Sequence, residues 1–316
     1  MAGEPMITIT LNPAIDHSVF VEGFSGGAVN RAESSWRQAG GKGVNVSAML
    51  GRHGIPNVAT GFLGRANPEL FEELFRTLPI ADQFVRLPGN TRTGIKIVDT
   101  RSQKTTDINF PGLAPSADDA DRLLGIVRKL VKPGRWFVVG GSLPMGISSA
   151  WFEELLLLIQ SGSGLLAVDA SGPALASAIR AGADLIKPNH HELAEYLGRD
   201  LPDFSSRLAA ADEVRAAGVA CVILSLGGDG ALFLGPGKAT IFAEAVPIDV
   251  ASTVGAGDSL LAGYLAGLAM ELDPVETAKL ATVFAWSALE DVRRLLPSVK
   301  EIERRMALIR VTEIHS

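Results

Sequence analysis

Short apolar runs alternate with longer stretches of helical periodicity over most of the chain, a rhythm that predicts parallel strands joined by helices. Residues 6–12 read as a strand stopped by Pro13, and 136–139, 165–169, 184–186 and 219–226 as buried strands. The spacing predicts helices over 46–53, 68–78, 117–131, 149–160 and 174–181, and another from about His191. No glycine follows Gly267; residues 275–289 read as a long apolar helix and 298–309 as a charged amphipathic one that covers the C-terminal side. Two segments break the rhythm. Residues 14–37 and 92–111 alternate apolar and polar positions, the first with Gly23, Gly26 and Gly27. They are too polar for the core and predict a small side sheet over the Asp16 and Lys42 region. No repeat, linker or low-complexity tract divides residues 1–316, so a single α/β domain with this side sheet is expected.

Composition narrows the function classes. Apolar residues make up 47% of the chain, enough for a large core. Lys plus Arg number 29 against 35 Asp plus Glu, a net charge of -6 with no dense basic cluster, so nucleic acid is not an expected partner. No apolar run approaches the ~20 residues of a membrane span, and the N-terminus lacks a basic start followed by a long apolar region. The single Cys221 lies in an apolar run and excludes a disulfide framework. A soluble, cytoplasmic protein without a membrane partner is expected.

Two glycine-rich loops open helices. Residues 252–258 read Ser-Thr-Val-Gly-Ala-Gly-Asp, and Gly255, Ala256 and Gly257 leave backbone N–H groups bare at a helix N-terminus, a ready anion site. Asp258 is either the cap of that helix or a base working beside a held phosphoryl group. Residues 39–45 read Ala-Gly-Gly-Lys-Gly-Val-Asn, in which Lys42 adds a charge, yet the spacing is neither that of a Walker loop nor Gly-x-Gly-x-x-Gly. Asp16, near the C-terminal end of the first strand, is placed either to accept from sugar hydroxyls or to serve a turn. Asn189 and Glu192 share one face of a first helical turn and equally fit a capping box. His190 and His191 face apart and have no third ligand nearby. Gly227-Gly-Asp-Gly230 turns one strand into the next.

With these motifs placed, the chain from about residue 7 to about 288 resembles the ribokinase-like carbohydrate kinases of the PfkB family. Residues 40–45 resemble the first family signature and 252–258 the second; Asn189 with Glu192 matches its Asn-x-x-Glu element, and 225–230 its nucleotide-binding turn. The resemblance implies a three-layer α/β/α fold with a β lid that pairs homodimers, and transfer of the ATP γ-phosphoryl group to a sugar with magnesium. By motif match Asp258 becomes the base and Gly255, Ala256 and Gly257 the anion hole. Asp16, Gly41, Lys42, Asn45, Asn109 and Ser142 would line the acceptor. Arg92 and Lys42 would hold the phosphate already on it, with Arg31 added from the same or the partner lid. Lys187, Asn189, Ser225, Gly227, Gly230 and Thr253 would line ATP together with Gly255 and Gly257. Asn189 and Glu192 would organise magnesium through water or phosphate. Residues 91–96 and 106–112 look more like kinases of fructose 1-phosphate than of tagatose 6-phosphate, so a ketohexose phosphate, first of all fructose 1-phosphate, is the expected acceptor. A tagatose 6-phosphate or fructose 6-phosphate kinase is the nearer alternative, and a non-catalytic sugar-phosphate-binding protein the more distant one. Two departures stand out. Ser252 replaces the usual Asp, and residues 285–297 carry Glu290, Asp291, Arg293 and Arg294 without a glycine where relatives close the adenine pocket and a monovalent-cation loop. Adenine contacts and a monovalent cation are therefore left open.

Overall fold

A computed structural model describes residues 4–102, 104–235 and 239–315. In chain order its elements are β1 Met6–Thr10, β2 Ala14–Val21, β3 Ser34–Gly40, α1 Lys42–Arg52, β4 Asn57–Gly64, α2 Glu69–Thr77, β5 Ile80–Asp82, β6 Val85–Leu87, β7 Arg92–Asp99, β8 Lys104–Asn109, α3 Ala117–Leu130, β9 Trp136–Gly140, α4 Ser149–Ser161, β10 Leu165–Asp169, α5 Gly172–Arg180, β11 Leu185–Ile186, α6 His190–Leu197, α7 Phe204–Ala216, β12 Cys221–Ser225, β13 Gly230–Leu234, β14 Ala239–Glu244, α8 Ala256–Ala269, α9 Pro274–Glu290, α10 Val299–Met306 and β15 Val311–His315. A 3₁₀ turn, Gly227–Asp229, joins β12 to β13.

The larger sheet runs β15-β14-β13-β12-β11-β10-β9-β1-β4-β5, with β6 also on β4. Neighbours from β12 to β5 are parallel, and β13, β14 and β15 add on antiparallel. Consecutive positions of the central strands are apolar because helices cover both faces. In β9, Phe137 and Val139 enter the cluster built with α3, α4, α5 and α7, while Val138 faces the one built with α1, α8 and α9.

The two lid segments form a separate sheet, β3-β2-β7-β8. β2 pairs antiparallel with β3 and parallel with β7, which sets Asp16 opposite Gln38 on one side and Gly94 on the other. Gln103, within the second lid segment, lies outside the described residues. The C-terminal segment is more than a helical cover, because after α10 the chain returns as β15 to extend the sheet through β14. Neither those strands nor β4 to β6 stand out in the apolar rhythm: Gly61 and Gly64 interrupt β4, and β15 carries Glu313 and His315.

The fold brings the C-terminal ends of β1, β9, β10 and β11 to the N-termini of α1 and α8, with β2 alongside. α8 starts behind Gly255, whose φ of 77° is a left-handed value that suits glycine.

Candidate active site

Asp258, in the first turn of α8, is buried, and its Oδ2 accepts from Asn45 Nδ2 at 2.6 Å. Asn45 lies in the first turns of α1, so the two glycine-rich loops meet through this bond. Burial and then the negative charge of Asp169 push the Asp258 pKa up, against the pull of Lys42, Asn45 and Lys187. Asp169, buried at the end of β10, takes Lys42 Nζ on Oδ1 at 2.7 Å and has Lys187 Nζ 3.2 Å from Oδ2. Burial also works to raise the Asp169 pKa, but Lys187 and Lys42 outweigh it and hold the carboxyl below the usual range. Lys42 is itself held above its ordinary value: burial opposes its charge, and Asp169 and Asp258 more than offset that. Two carboxylates pushed in opposite directions are a division of labour: Asp258 has the greater appetite for a proton, and Asp169 remains a fixed anion between two cations.

Lys187 also reaches the anion loop, since a Cβ built on Gly257 would lie 3.1 Å from its Nζ. The first N–H groups of α8, the helix dipole and this ammonium therefore converge on one spot. Thr253, just before the loop, is exposed, while Ser252 is buried and its Oγ accepts from Val254 N–H at 3.2 Å.

Asp16 is cradled by glycine. A Cβ on Gly40 would come within 2.4 Å of its Oδ2, so only glycine lets β3 pass so close to the carboxylate. Lys96 Nζ lies 3.8 Å from Oδ1, and Arg294 donates to Oδ2 at 3.1 Å. Further along the lid, Arg92 donates through Nε to Asn12 Oδ1 at 3.1 Å and through Nη1 to Asn109 Oδ1 at 3.4 Å. Asn12 in turn donates to Ser142 Oγ at 3.1 Å. Arg92, Asn109 and Ser142, far apart in sequence, thus form one polar cluster held by Asn12. Burial lowers the Arg92 pKa while Asp16 pulls it up.

Asn189 and Glu192 form a complete capping box: Asn189 Oδ1 accepts from His191 and Glu192 N–H at 2.9 Å each, and Glu192 Oε2 accepts from Asn189 N–H at 2.8 Å. Asn189 also bridges Ser225, and the following turn has positive φ at Gly227 and Gly230. Among the described residues no group of three or more His, Cys, Asp or Glu could hold a metal, and no helix is long and apolar enough to cross a membrane. Arg31 is exposed between β2 and β3, away from the cluster around Arg92. Three residues of the site escape the sequence reading. Asp169 and Asn12 announce themselves only as polar residues ending strands, and Arg294 only as part of an unusual segment.

Comparison with known proteins places the chain in a family. The model of the pfkB family carbohydrate kinases matches residues 7–292. A 1-phosphofructokinase of Rhodobacter capsulatus is 41% identical over 308 residues, 97% of this chain and 96% of that one. The 1-phosphofructokinase of Escherichia coli (strain K12) is 36% identical, with 88% of each chain covered. Among solved structures, the phosphofructokinase-2 of Escherichia coli in complex with substrates and products superposes with a TM-score of 0.89 at 26% identity, covering 96% of this chain and 99% of that one. With both signature loops joined at Asp258 and a match along nearly its whole length, the chain belongs to the pfkB family of carbohydrate kinases.

Proposed function

We propose that the chain transfers the γ-phosphoryl group of ATP to the free primary hydroxyl of fructose 1-phosphate, giving fructose 1,6-bisphosphate and ADP. The observation that carries this is the buried Asp258, its pKa raised, seated beside the N–H groups of Gly255, Ala256 and Gly257 with Lys187 at their side. Curated relatives named 1-phosphofructokinase, 41% and 36% identical, support the choice of acceptor. Oδ2 of Asp258 is occupied by Asn45, which leaves Oδ1 for the acceptor's proton. Asp16 orients sugar hydroxyls. Arg92, braced by Asn12 and Asn109, grips the existing phosphate in the two-pronged way a guanidinium allows. Little covalent chemistry is asked of the protein beyond this positioning and charge stabilisation.

Lys187, Asn189, Ser225, Gly227, Gly230 and Thr253 line the nucleotide. Magnesium, when bound, screens its phosphates, and the hard oxygens of Asn189 and Glu192 suit it through water. The chain acts as one domain. It pairs through the lid, where Trp36, Ile108 and Phe110 are 43%, 44% and 49% exposed; Arg31, away from Arg92 in its own subunit, reaches the acceptor phosphate of the partner subunit.

The test is initial rates on fructose 1-phosphate, fructose 6-phosphate, tagatose 6-phosphate and fructose, with wild type and Arg92→Ala. The expected result is fastest turnover of fructose 1-phosphate, with its Michaelis constant raised about tenfold or more in the variant. A better rate on another acceptor, or an unchanged Michaelis constant, would overturn the reading.

A further inference from the structure

The glycine-free segment after α9 has entered the site so far only through the bond of Arg294 to Asp16, and the family match stops at residue 292. Two residues later comes Arg294, 3% exposed, with a φ of 53° that side-chain-bearing residues rarely adopt. Its N–H donates to Asp291 O at 2.7 Å, and Gln38 Nε2 of β3 donates to Val292 O at 2.8 Å, so the lid strand holds this turn against the site. The guanidinium spans both halves of the centre. Nη2 is on Asp16, while Nη1 is buried without a hydrogen-bond partner among the described residues, and a Cβ built on Gly255 would lie 2.7 Å from Nη1. Arg294 and Asn45, the partner of Asp258, also meet at a cavity of about 170 Å³ whose other walls come from β3, α1 and α2, among them Gln38, Ala48 and Leu74. A charged donor left unpaired in the interior is costly, and a phosphoryl oxygen brought beside Gly255 would satisfy it.

We propose that Arg294 is a further catalytic residue, whose free Nη1 donates to the phosphoryl group as it passes from ATP to the acceptor. This rests on the phosphoryl transfer at Gly255–Gly257 proposed above. In that step the acceptor oxygen bonds to phosphorus while the bond from phosphorus to the bridging oxygen breaks. That electron pair leaves on ADP, and the hydroxyl proton goes to Asp258. The non-bridging oxygens meet the N–H groups of the loop on one side and Arg294 on the other. Nη2 keeps Asp16 oriented toward the sugar, so one side chain ties acceptor placement to charge stabilisation.

The test pairs turnover with binding of a transition-state mimic, ADP with aluminium fluoride and magnesium. In Arg294→Ala, kcat is expected to fall about 10²-fold or more and affinity for the mimic by a similar factor, while affinity for ADP alone changes little. Arg294→Lys keeps a cation and retains much of the mimic affinity. Arg294→Gln, which can still bond to Asp16, is read in the same way if the alanine variant does not fold. Undiminished mimic affinity in the alanine or glutamine variant, or a loss that falls wholly on the acceptor's Michaelis constant with kcat kept, overturns the proposal. The mimic contains no sugar, so failure of fructose 1-phosphate as acceptor is seen separately in the rate panel.

Discussion

Asp258 sits where a helix cap and a base look alike, and its surroundings support the proposed base. A cap accepts backbone N–H groups at the end of a helix; this carboxylate is instead held by the Asn45 side chain, inside a field of two lysines and a second acid. Asp258→Asn is therefore expected to lower turnover by about 10² or more with ATP still bound, as read by steady-state rates and nucleotide titration; near-wild-type rates would make it a cap after all. A base works only when ionised, so with a raised pKa the activity is present above that value and lost as pH falls through it. The acid limb of kcat is thus expected above the ordinary carboxylate value of about 4. Lys42 lowers the Asp258 pKa, so Lys42→Met should move the limb to higher pH, and a limb that stays in place would show that the lysine does not act on the base. Asp258, Asn45 and Lys42 were legible because glycine-rich loops mark them. Asp169 and Asn12 were not: an acid or amide at a strand end is ordinary in sequence and gains meaning only when β1 and β10 are set beside α1 and the lid.

At the scale of elements, the apolar rhythm located α2, α3 and α4 well, since each buries one stripe, but it passed over α7, which buries only Ala210, Ala211 and Val214. It was weaker for strands whose glycines or charges break the run, as in β4 and β15. One helix start carries two meanings. Asn189 and Glu192 cap α6 in full, and the same pair is proposed to hold magnesium through water. Asn189→Ala should cost about 1 kcal/mol of stability. Glu192→Gln keeps a capping box and should leave the melting temperature near wild type while raising the magnesium concentration needed for half-maximal rate. An unchanged magnesium requirement would leave Glu192 as a cap only. The packing of α8 on α9 is read more directly. A Cβ at Gly263 would lie 2.7 Å from Ala281 Cα, so Gly263→Ala should destabilise the protein by about 1–3 kcal/mol in denaturant melts, with the backbone rather than a movable side chain in the way.

For the whole molecule, the order of strands is what no local pattern contains: β1 lies between β9 and β4, and the last strand returns to the far edge. The existence of a side sheet was legible, because its segments were too polar to be core. Its exposed Trp36, Ile108 and Phe110 lead to a concrete expectation. Sedimentation should find a dimer, and Trp36→Glu with Ile108→Asp should shift it to monomer; a wild-type monomer would remove the lid interface.

The bonds that close the site join residues far apart along the chain: Asn45 to Asp258 across 213 positions and Asp16 to Arg294 across 278. A ribosome delivers Asp16 and Asn45 early and Asp258 and Arg294 late. During synthesis the nascent chain thus carries its lid and first glycine loop long before Asp258, the proposed proton acceptor, is added. A chain cut short anywhere before Arg294 would keep its lid and first glycine loop but lack the residue that bonds Asp16 from the C-terminal side.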